Sequence, residues 1–212
     1  IKEIIHAFEN ICIDEKLMQF IDWIADYTLA PKGLVLKLIL INNNIVNYNL
    51  SENSQNFIQP NKVKLNAEQF EAFKIIDKTL KSNFHPMVLQ GVTGSGKTEV
   101  YFEAIEKVLK QKKQALIMLP EISLTPQFEE RFKIRFGFNP AIWHSKITEK
   151  KKKIIWHECY HSKPTVVIGA RSSLFLPFNN LGLIVVDEEH DLSFKQDDNI
   201  RYQARDLAIV KA

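Results

Sequence analysis

The sequence predicts an α/β fold in which a mostly parallel sheet is flanked by helices. Two observations predict it. Short apolar runs alternate with amphipathic helical segments from about residue 63 onward, and a glycine-rich, phosphate-binding motif lies directly before one of these helices. Strands that alternate with helices are typical of a parallel sheet with crossover helices on its faces. The pattern leaves the order of the strands open.

Length and composition fit a globular protein of one large domain and a smaller piece, with 212 residues of which 45% are hydrophobic. Lys and Arg total 28 against 25 Asp and Glu, and this net charge of +3 permits a nucleic-acid partner without requiring one. Cys12 and Cys159 are too few for a disulfide framework or a Cys-rich zinc site. No secretory signal or apolar run of about 18 residues is present, so we expect a cytoplasmic protein that does not enter a membrane.

The N-terminal segment predicts a small helical element followed by a linker. Apolar residues at helical spacing from Asp14 to Tyr27 predict a helix, and Pro31 and Gly33 would end it. Eight of the twenty residues 42–61 are Asn, which is typical of a solvated linker. We therefore divide the chain into an N-terminal element (1–41), a linker (42–61) and a main domain (62–212). Because the chain begins without Met and stops inside a predicted helix, we expect it to be a fragment of a longer protein.

The main domain contains five predicted strands with helices between them. The predicted strands are MVLQ (87–90), ALIML (115–119), AIWH (141–144), TVVIG (165–169) and LIVVDE (183–188). The predicted helices cover 99–111, 125–136, 150–161 and 201–212.

The motif GVTGSGKT predicts a nucleotide site. Three of the seven glycines fall within residues 91–96, and glycine lets backbone N–H groups turn toward phosphates at the start of a helix. Lys97 is expected to reach the β and γ phosphates, and the Thr98 hydroxyl is expected to ligate Mg²⁺. The predicted nucleotide-binding residues are Gly91, Val92, Thr93, Gly94, Ser95, Gly96, Lys97 and Thr98.

Two further motifs complete the predicted nucleotide site. In LGLIVVDEEH, about 90 residues after the loop, Asp187 is expected to hold Mg²⁺ and Glu188 to orient and deprotonate the attacking water. In LNAEQ, about 20 residues before the loop, the Gln69 amide has the donor and acceptor that match N7 and N6 of adenine, which would select ATP over GTP. The alternative interpretation of the DEEH sequence is an acidic, solvated turn, and that of Gln69 is an exposed residue on a helix.

The motifs together resemble a known family of motors. Asp-Glu-x-His is similar to the signature of superfamily 2 helicases of the DExH type, in which the histidine, here His190, couples the nucleotide site to the nucleic-acid site. The strings LNAEQ, QGVTGSGKTEVY, LPEISLTPQ, VVIGARSSLFLPF and IVVDEEHDLSFKQ resemble the PriA-type replication-restart helicases, or primosomal protein N′. The resemblance covers roughly residues 64–212. It implies the first RecA-like lobe of an ATP- and Mg²⁺-dependent 3′-to-5′ DNA helicase. Single-stranded and forked DNA, primosome proteins and single-strand-binding proteins are the implied partners.

The same resemblance implies DNA contacts at the ligand edge of the sheet, where hydroxyl, amide and guanidinium groups hold phosphates. Thr125 and Gln127 lie in SLTPQ, and Arg171 and Ser172 lie in GARSS. Helix capping by Thr125 and an ordinary surface Arg171 are the alternatives.

HDLSFKQDDNIRYQARD resembles the aromatic-rich loop of PriA and RecQ-type helicases. Its candidate DNA sensors are Phe194, Lys195, Arg201 and Tyr202. Packing over the core is the competing explanation for Phe194.

The N-terminal sequence DWIADYTLAPKGLVLKLIL resembles the end of the family's domain that binds a DNA 3′ end, with Trp23, Tyr27, Pro31 and Gly33 in familiar positions. The family's winged-helix domain is reduced here to the linker. The resemblance implies that the family's zinc belongs to Cys-rich segments beyond Ala212. We do not expect HECYH (157–161) to bind zinc, because helical positions two apart do not converge. The Lys150 to Lys153 run is most simply a solvated helix end.

Two rival functions remain on the sequence alone. Another double-stranded DNA translocase, of the RecG-like or restriction type, should lack PEISLTPQ and the SFKQ loop. The second rival is a non-catalytic DNA-binding or loading module that holds ATP only as a structural ligand. The presence of Lys97, Asp187 and Glu188 disfavours it, because these residue types catalyse hydrolysis.

Overall fold

The computed structural model describes residues 11–40, 61, 63–80 and 84–212. Except for Asn61, the predicted Asn-rich linker lies outside the described residues. The helices are α1 (Glu15–Thr28), α2 (Lys32–Leu40), α3 (Ala67–Thr79), α4 (Lys97–Lys110), α5 (Pro126–Phe136), α6 (Glu149–Tyr160) and α7 (Ala204–Lys211). The strands are β1 (Gln114–Met118), β2 (Ala141–Trp143), β3 (Val166–Gly169), β4 (Leu181–Val186), β5 (Lys195–Gln196) and β6 (Tyr202–Gln203).

The main sheet is four-stranded in the order β2-β3-β1-β4, and all of its pairs are parallel. Met118 of β1 stands opposite Gly169 of β3 and Val186 of β4. The carboxyl ends of the three strands therefore finish level at one edge of the sheet. The segments that follow these strands begin side by side, as expected for the ligand edge of an open parallel sheet. The predicted α/β class with a parallel sheet is confirmed.

Alternate residues of β1 belong to two different cores, one on each face of the sheet. Leu116 and Met118 pack with residues of α1, α2, α6 and α7, whereas Ala115 and Ile117 pack with residues of α4 and α5. Side chains alternate between faces along a strand. A strand buried on both faces needs apolar residues at every position, which explains why ALIML reads as one continuous run.

The N-terminal helices share the core of the main domain. Asp14 caps α1 by accepting a hydrogen bond from Leu17 N–H at 2.8 Å. Ile24 and Ile39 are buried in the core that also contains Trp156. The Trp156 indole N–H donates to the backbone oxygen of Ile39 at 2.7 Å. Helices α1 and α2 therefore pack on the main domain. The predicted division of the chain at the linker stays a prediction.

Helices α4 and α5 are joined by aromatic rings and by a buried ion cluster. Phe102 of α4 makes edge-to-face contacts with Phe132 and Phe136 of α5, at centroid distances of 5.7 Å and 5.3 Å. The Arg135 guanidinium, only 3% exposed, donates to Glu103 and Glu106 at 2.7 Å each. Burial pulls the pKa of Glu106 upward, but hydrogen bonds from Lys110 and Arg135 outweigh it and hold this pKa below its ordinary value. Glu106 is therefore ionised at neutral pH.

One predicted strand is wrong. Residues 84–92 have no regular secondary structure, and Val88 of MVLQ is 90% exposed. In the described part of the chain β4 lies at one edge of the sheet, with no strand on its outer side, and all six of its residues are only half-buried. A four-residue apolar run has too little periodicity to distinguish a strand from an extended segment. No helix among the described residues is long and apolar enough to cross a membrane.

We predict that the buried ion cluster, rather than the exposed one beside it, stabilises the packing of α5. Arg135→Met leaves Glu103 without a cation and Glu106 with only Lys110, so the free energy of unfolding should fall by about 3 kcal/mol. Arg131→Met, one turn earlier, removes a pair with Glu99 in which the arginine is 47% exposed, and it should cost less than about 1 kcal/mol. Urea denaturation at neutral pH measures both variants. Equal losses would show that burial of the cluster has no special importance.

Candidate nucleotide and nucleic-acid site

The phosphate-binding motif forms a tight loop before α4. Gly94 and Gly96 both have φ of 81°, in the left-handed region that favours glycine. A Cβ atom added at Gly96 would clash with the side-chain nitrogen of Gln69, so a larger residue would displace that amide from the loop. Gly96 is also the N-cap of α4 and makes no side-chain capping bond. No capping side chain therefore competes with an anion for the first N–H groups of the helix.

Lys97 folds back over this loop. Its ammonium donates to the backbone oxygens of Gly91 at 2.8 Å and Val92 at 3.2 Å. The contacts hold a positive charge inside the turn. An incoming phosphate would offer the ammonium a charged acceptor in place of two neutral carbonyl groups, and charge-assisted hydrogen bonds are the stronger ones.

Gln69 joins α3 to the loop. Asn66 and Gln69 form a capping box, in which the Gln69 side-chain oxygen accepts from Asn66 N–H at 3.0 Å. The Gln69 amide nitrogen donates to the backbone oxygen of Ser95 at 2.9 Å. A primary amide has two hydrogens and two lone pairs. One hydrogen and one lone pair therefore remain for a base, and the assignment of Gln69 to adenine stays a prediction.

Asp187 follows the last residue of β4 and is held from three sides. Its backbone N–H donates to the oxygen of Met118, at the end of β1, at 3.0 Å. One carboxylate oxygen, Oδ1, accepts from Glu188 N–H at 3.0 Å. The other, Oδ2, accepts from the Tyr101 hydroxyl at 2.9 Å. Burial raises the pKa of Tyr101 well above its ordinary value and the charge of Asp187 raises it further, so the phenol remains a proton donor.

The turn after Asp187 presents the other acidic residues to solvent. Glu188 is exposed and adopts φ of 51°, a left-handed conformation that is uncommon outside glycine. Its backbone oxygen accepts from Asp191 N–H at 2.8 Å, which closes the turn. His190 is exposed within the same turn. The predicted base and the predicted coupling residue are thus carried on a short, hydrogen-bonded turn at the sheet edge.

The predicted magnesium ligands are compatible with that ion. The described residues include no group of three or more His, Cys, Asp or Glu side chains that could hold a metal by themselves. Magnesium bound with a nucleotide typically uses one or two protein ligands and completes its shell with phosphate oxygens and waters. Thr98 and Asp187 provide hard oxygen donors; the Tyr101 hydroxyl donates to Asp187, and Thr98 lies three residues before Tyr101 on the same helix. This donor set fits Mg²⁺ bound with a nucleotide.

Arg171 lies where GARSS meets the predicted aromatic-rich loop. Its guanidinium Nη1 donates to the backbone oxygen of Ser193 at 3.1 Å and also to that of Lys195. On the other side of the loop, Arg205 of α7 pairs with Glu189 at 2.7 Å. Two arginines therefore hold the chain between the DEEH turn and α7 in place. Of the two, only Arg171 was among the predicted site residues.

The aromatic-rich loop separates its aromatic residues from its basic ones. Phe194 is fully buried, and Tyr202 is 8% exposed with its ring 5.3 Å from that of Phe175. Lys195 and Arg201 are exposed. Strands β5 and β6 pair as a short antiparallel hairpin, and the two aromatic rings pack in the core beside α7. The structure does not place Phe194 and Tyr202 where a base can stack on them, so the core-packing alternative holds for Phe194.

The remaining predicted DNA contacts differ in their surroundings. The Thr125 hydroxyl caps α5 by accepting from Phe128 N–H at 3.3 Å, as in the alternative interpretation. Gln127 and Ser172 are exposed. A groove of about 610 Å³ beside α5 is lined by Gln127 together with residues 61, 63, 99 and further residues of α5. The phosphate-binding loop does not line this groove.

Sequence reasoning missed Tyr101. It lies three residues after Thr98, and residues at this spacing share one face of a helix. That face of α4 meets the end of β4, a contact that no local pattern specifies.

Comparisons with known proteins identify the family of this chain. The DEAD/DEAH box helicase family matches residues 67–211. A protein named "Replication restart protein PriA" from Rickettsia prowazekii is 46% identical over 205 residues, which is 95% of this chain and 31% of that protein. Proteins of the same name from Haemophilus influenzae and Bacillus subtilis are 43% and 48% identical over 190 and 149 residues, or 90% and 70% of this chain.

These matches cover 24% of the Haemophilus protein and 18% of the Bacillus protein, so the chain spans about a third or less of the relatives it matches. They confirm the resemblance to PriA-type proteins that the motifs indicated. Since the family match extends from α3 to α7 and includes the phosphate-binding loop and the DEEH turn, the chain belongs to the DEAD/DEAH box helicase family.

Proposed function

We propose that this chain is the first motor lobe of an ATP-driven, 3′-to-5′ DNA helicase that restarts replication at stalled forks. The observation that carries the proposal is the convergence of the helicase motifs at one sheet edge. The phosphate-binding loop is linked to the DEEH turn through Tyr101 and Asp187 at 2.9 Å. GARSS is linked to the segment after that turn through Arg171 and Ser193 at 3.1 Å.

ATP binding uses the phosphate-binding loop together with Lys97 and Gln69. The backbone N–H groups of residues 91–98 surround the phosphates, and Lys97 supplies a positive charge beside them. Gln69, already anchored to Asn66 and Ser95, uses its remaining hydrogen and lone pair on adenine. Guanine presents a carbonyl oxygen where adenine presents an amino group, so the same amide pairs poorly with GTP.

Hydrolysis requires a proton acceptor close to the γ phosphate. Magnesium bound by Thr98 and Asp187 would neutralise phosphate charge as it develops. Glu188, exposed on the turn directly after Asp187, accepts the proton of the attacking water. Asp187 is assigned to magnesium instead, because Tyr101 and Glu188 N–H each use one lone pair of its two oxygens and leave the others for the metal.

Coupling to DNA runs through the segment between His190 and α7. Lys195 and Arg201 are its exposed cations, and Ser172 is exposed in the neighbouring GARSS segment. A DNA phosphate that captured Arg171 would compete with the backbone oxygens of Ser193 and Lys195 for its guanidinium. Release of these carbonyls would loosen the segment that continues from the DEEH turn.

One lobe is not expected to complete the reaction cycle. Helicases of the family that this chain resembles close two lobes around ATP. An arginine from the second lobe stabilises the phosphate during transfer, and this arginine raises the rate by about 10³ to 10⁵. The proposed partners of the whole protein are single-stranded and forked DNA, primosome proteins and single-strand-binding proteins, as the resemblance implies.

The proposed activity is tested by DNA-stimulated ATP hydrolysis. The full-length protein should hydrolyse ATP faster when single-stranded DNA is added. Lys97→Ala should lower the stimulated rate by about 100-fold or more, because it removes a charge that stabilises the transition state. Lys110→Ala, at the opposite end of the same helix and paired with Glu106, is the matched control and should retain the rate. A full-length protein that shows no stimulation by DNA would contradict the proposal.

Nucleotide selection gives a second prediction. Wild-type protein should bind ATP about 10-fold more tightly than GTP, which corresponds to about 1.4 kcal/mol of base discrimination. Gln69→Ala should bring the ratio of the two dissociation constants close to one. Asn66→Ala removes the helix cap but keeps the amide of Gln69, so it should lower the melting temperature and leave the ratio unchanged. Fluorescence competition titrations measure the ratio, and equal competition by GTP in wild type would remove Gln69 from this role.

A further inference from the structure

The buried phenol of Tyr101 donates to one predicted magnesium ligand, Asp187, and lies three residues after the other, Thr98, on the same helix. We propose that Tyr101 is a positioning residue for magnesium, because it holds the Asp187 carboxylate in one orientation beside Thr98 before any nucleotide binds. The inference rests on the proposed function, since it concerns the metal that accompanies ATP. Tyr101 is the last residue of the string QGVTGSGKTEVY, but the sequence analysis assigned it no role.

The position of the phenol is fixed by the core. Tyr101 is 5% exposed and packs edge-to-face on Phe102 at a centroid distance of 5.4 Å. Phe102 in turn packs against the rings of α5. A ring packed in this way has little freedom to rotate or shift. The hydroxyl is therefore a rigid donor attached to the same helix that carries Thr98.

The carboxylate that receives this hydrogen bond is less constrained. Asp187 is half-buried, and the residue after it is exposed. Its backbone is fixed by the bond to Met118, but its side chain can still rotate about its own bonds. The hydrogen bonds to Oδ1 and Oδ2 remove this freedom from opposite sides. Partners that orient a metal-binding carboxylate commonly contribute about 10- to 100-fold to metal affinity.

The simpler alternative is that Asp187 merely satisfies a buried phenol. Both explanations predict a loss of stability when the hydroxyl is removed, because a buried hydrogen bond is worth about 1 kcal/mol. Only the positioning role predicts a change in the magnesium requirement. The test must therefore separate nucleotide affinity with magnesium from nucleotide affinity without it.

Tyr101→Phe removes one oxygen atom and keeps the ring. We expect the magnesium concentration for half-maximal tightening of ATP binding to rise by about 10-fold in the full-length protein. ATP affinity in EDTA should stay within twofold of wild type, because the phosphate-binding loop is untouched. Titration of a fluorescent ATP analogue with MgCl₂ measures the first quantity, and titration in EDTA measures the second. Neither measurement depends on turnover.

Tyr160→Phe is the matched control. Its phenol also makes two hydrogen bonds, accepting from Cys12 N–H at 2.8 Å and donating to the Cys12 oxygen at 3.0 Å. This variant should bind magnesium and ATP as wild type does. An unchanged magnesium midpoint in Tyr101→Phe, or an equal loss of affinity with and without magnesium, would overturn the positioning role. Wild-type protein that fails to bind ATP under either condition would instead reject the proposed function, and the inference with it.

Discussion

The parallel register of β3, β1 and β4 is the constraint on which the candidate site depends. Met118 stands opposite both Gly169 and Val186. The hydrogen bonding continues one residue past the strands, since Asp187 N–H donates to Met118 and Leu119 N–H donates to Gly169, each at 3.0 Å. The segments that begin LPEIS, ARSS and DEEH therefore start level with one another. A slip of one residue in β4 would exchange its two faces and would carry Asp187 away from Tyr101.

Helix α4 is held against the sheet by its packing on α5 and β1. Phe102 and the buried Arg135 cluster join it to α5, and its own side chains meet Ala115 and Ile117 of β1 in the same core. The helix starts at Lys97, so this packing also fixes the loop that precedes it. The charges of the cluster lie toward the C-terminal part of α4, away from the predicted phosphates. Their contribution is to stability and not to chemistry.

The features that the sequence predicted well are those with a local cause. The strand ALIML reads as buried because both of its faces lie in cores, and the glycine pattern of the loop reflects backbone angles that glycine favours. The helix predicted from Asp14 starts directly after that residue, and Thr125 caps α5 as the alternative interpretation expected. Helix α5 starts one residue after its predicted start and ends at its predicted end, and both ends of α6 lie one residue before the predicted ones. These signals need only neighbouring residues.

The features that the sequence did not predict depend on distant contacts. Whether Phe194 is a surface sensor or part of the core depends on α7 and on the β5–β6 hairpin, and an aromatic residue is compatible with either environment. Arg171 was expected to bind DNA, yet its present partners are backbone oxygens 22 and 24 residues away. MVLQ was interpreted as a strand because its residues are apolar, although a strand also needs a neighbour with which to pair. Tyr101 contacts Asp187 across 86 residues of sequence.

The central claim is that the loop of residues 91–98 and the turn of residues 187–190 form one nucleotide site at the carboxyl edge of the sheet. Hydrogen exchange of the full-length protein, with and without a non-hydrolysable ATP analogue and magnesium, tests it most directly. The account predicts that the nucleotide protects the amides of both segments together and leaves α6 (Glu149–Tyr160) unchanged. Protection centred on the groove beside α5, with none at 187–190, would contradict it.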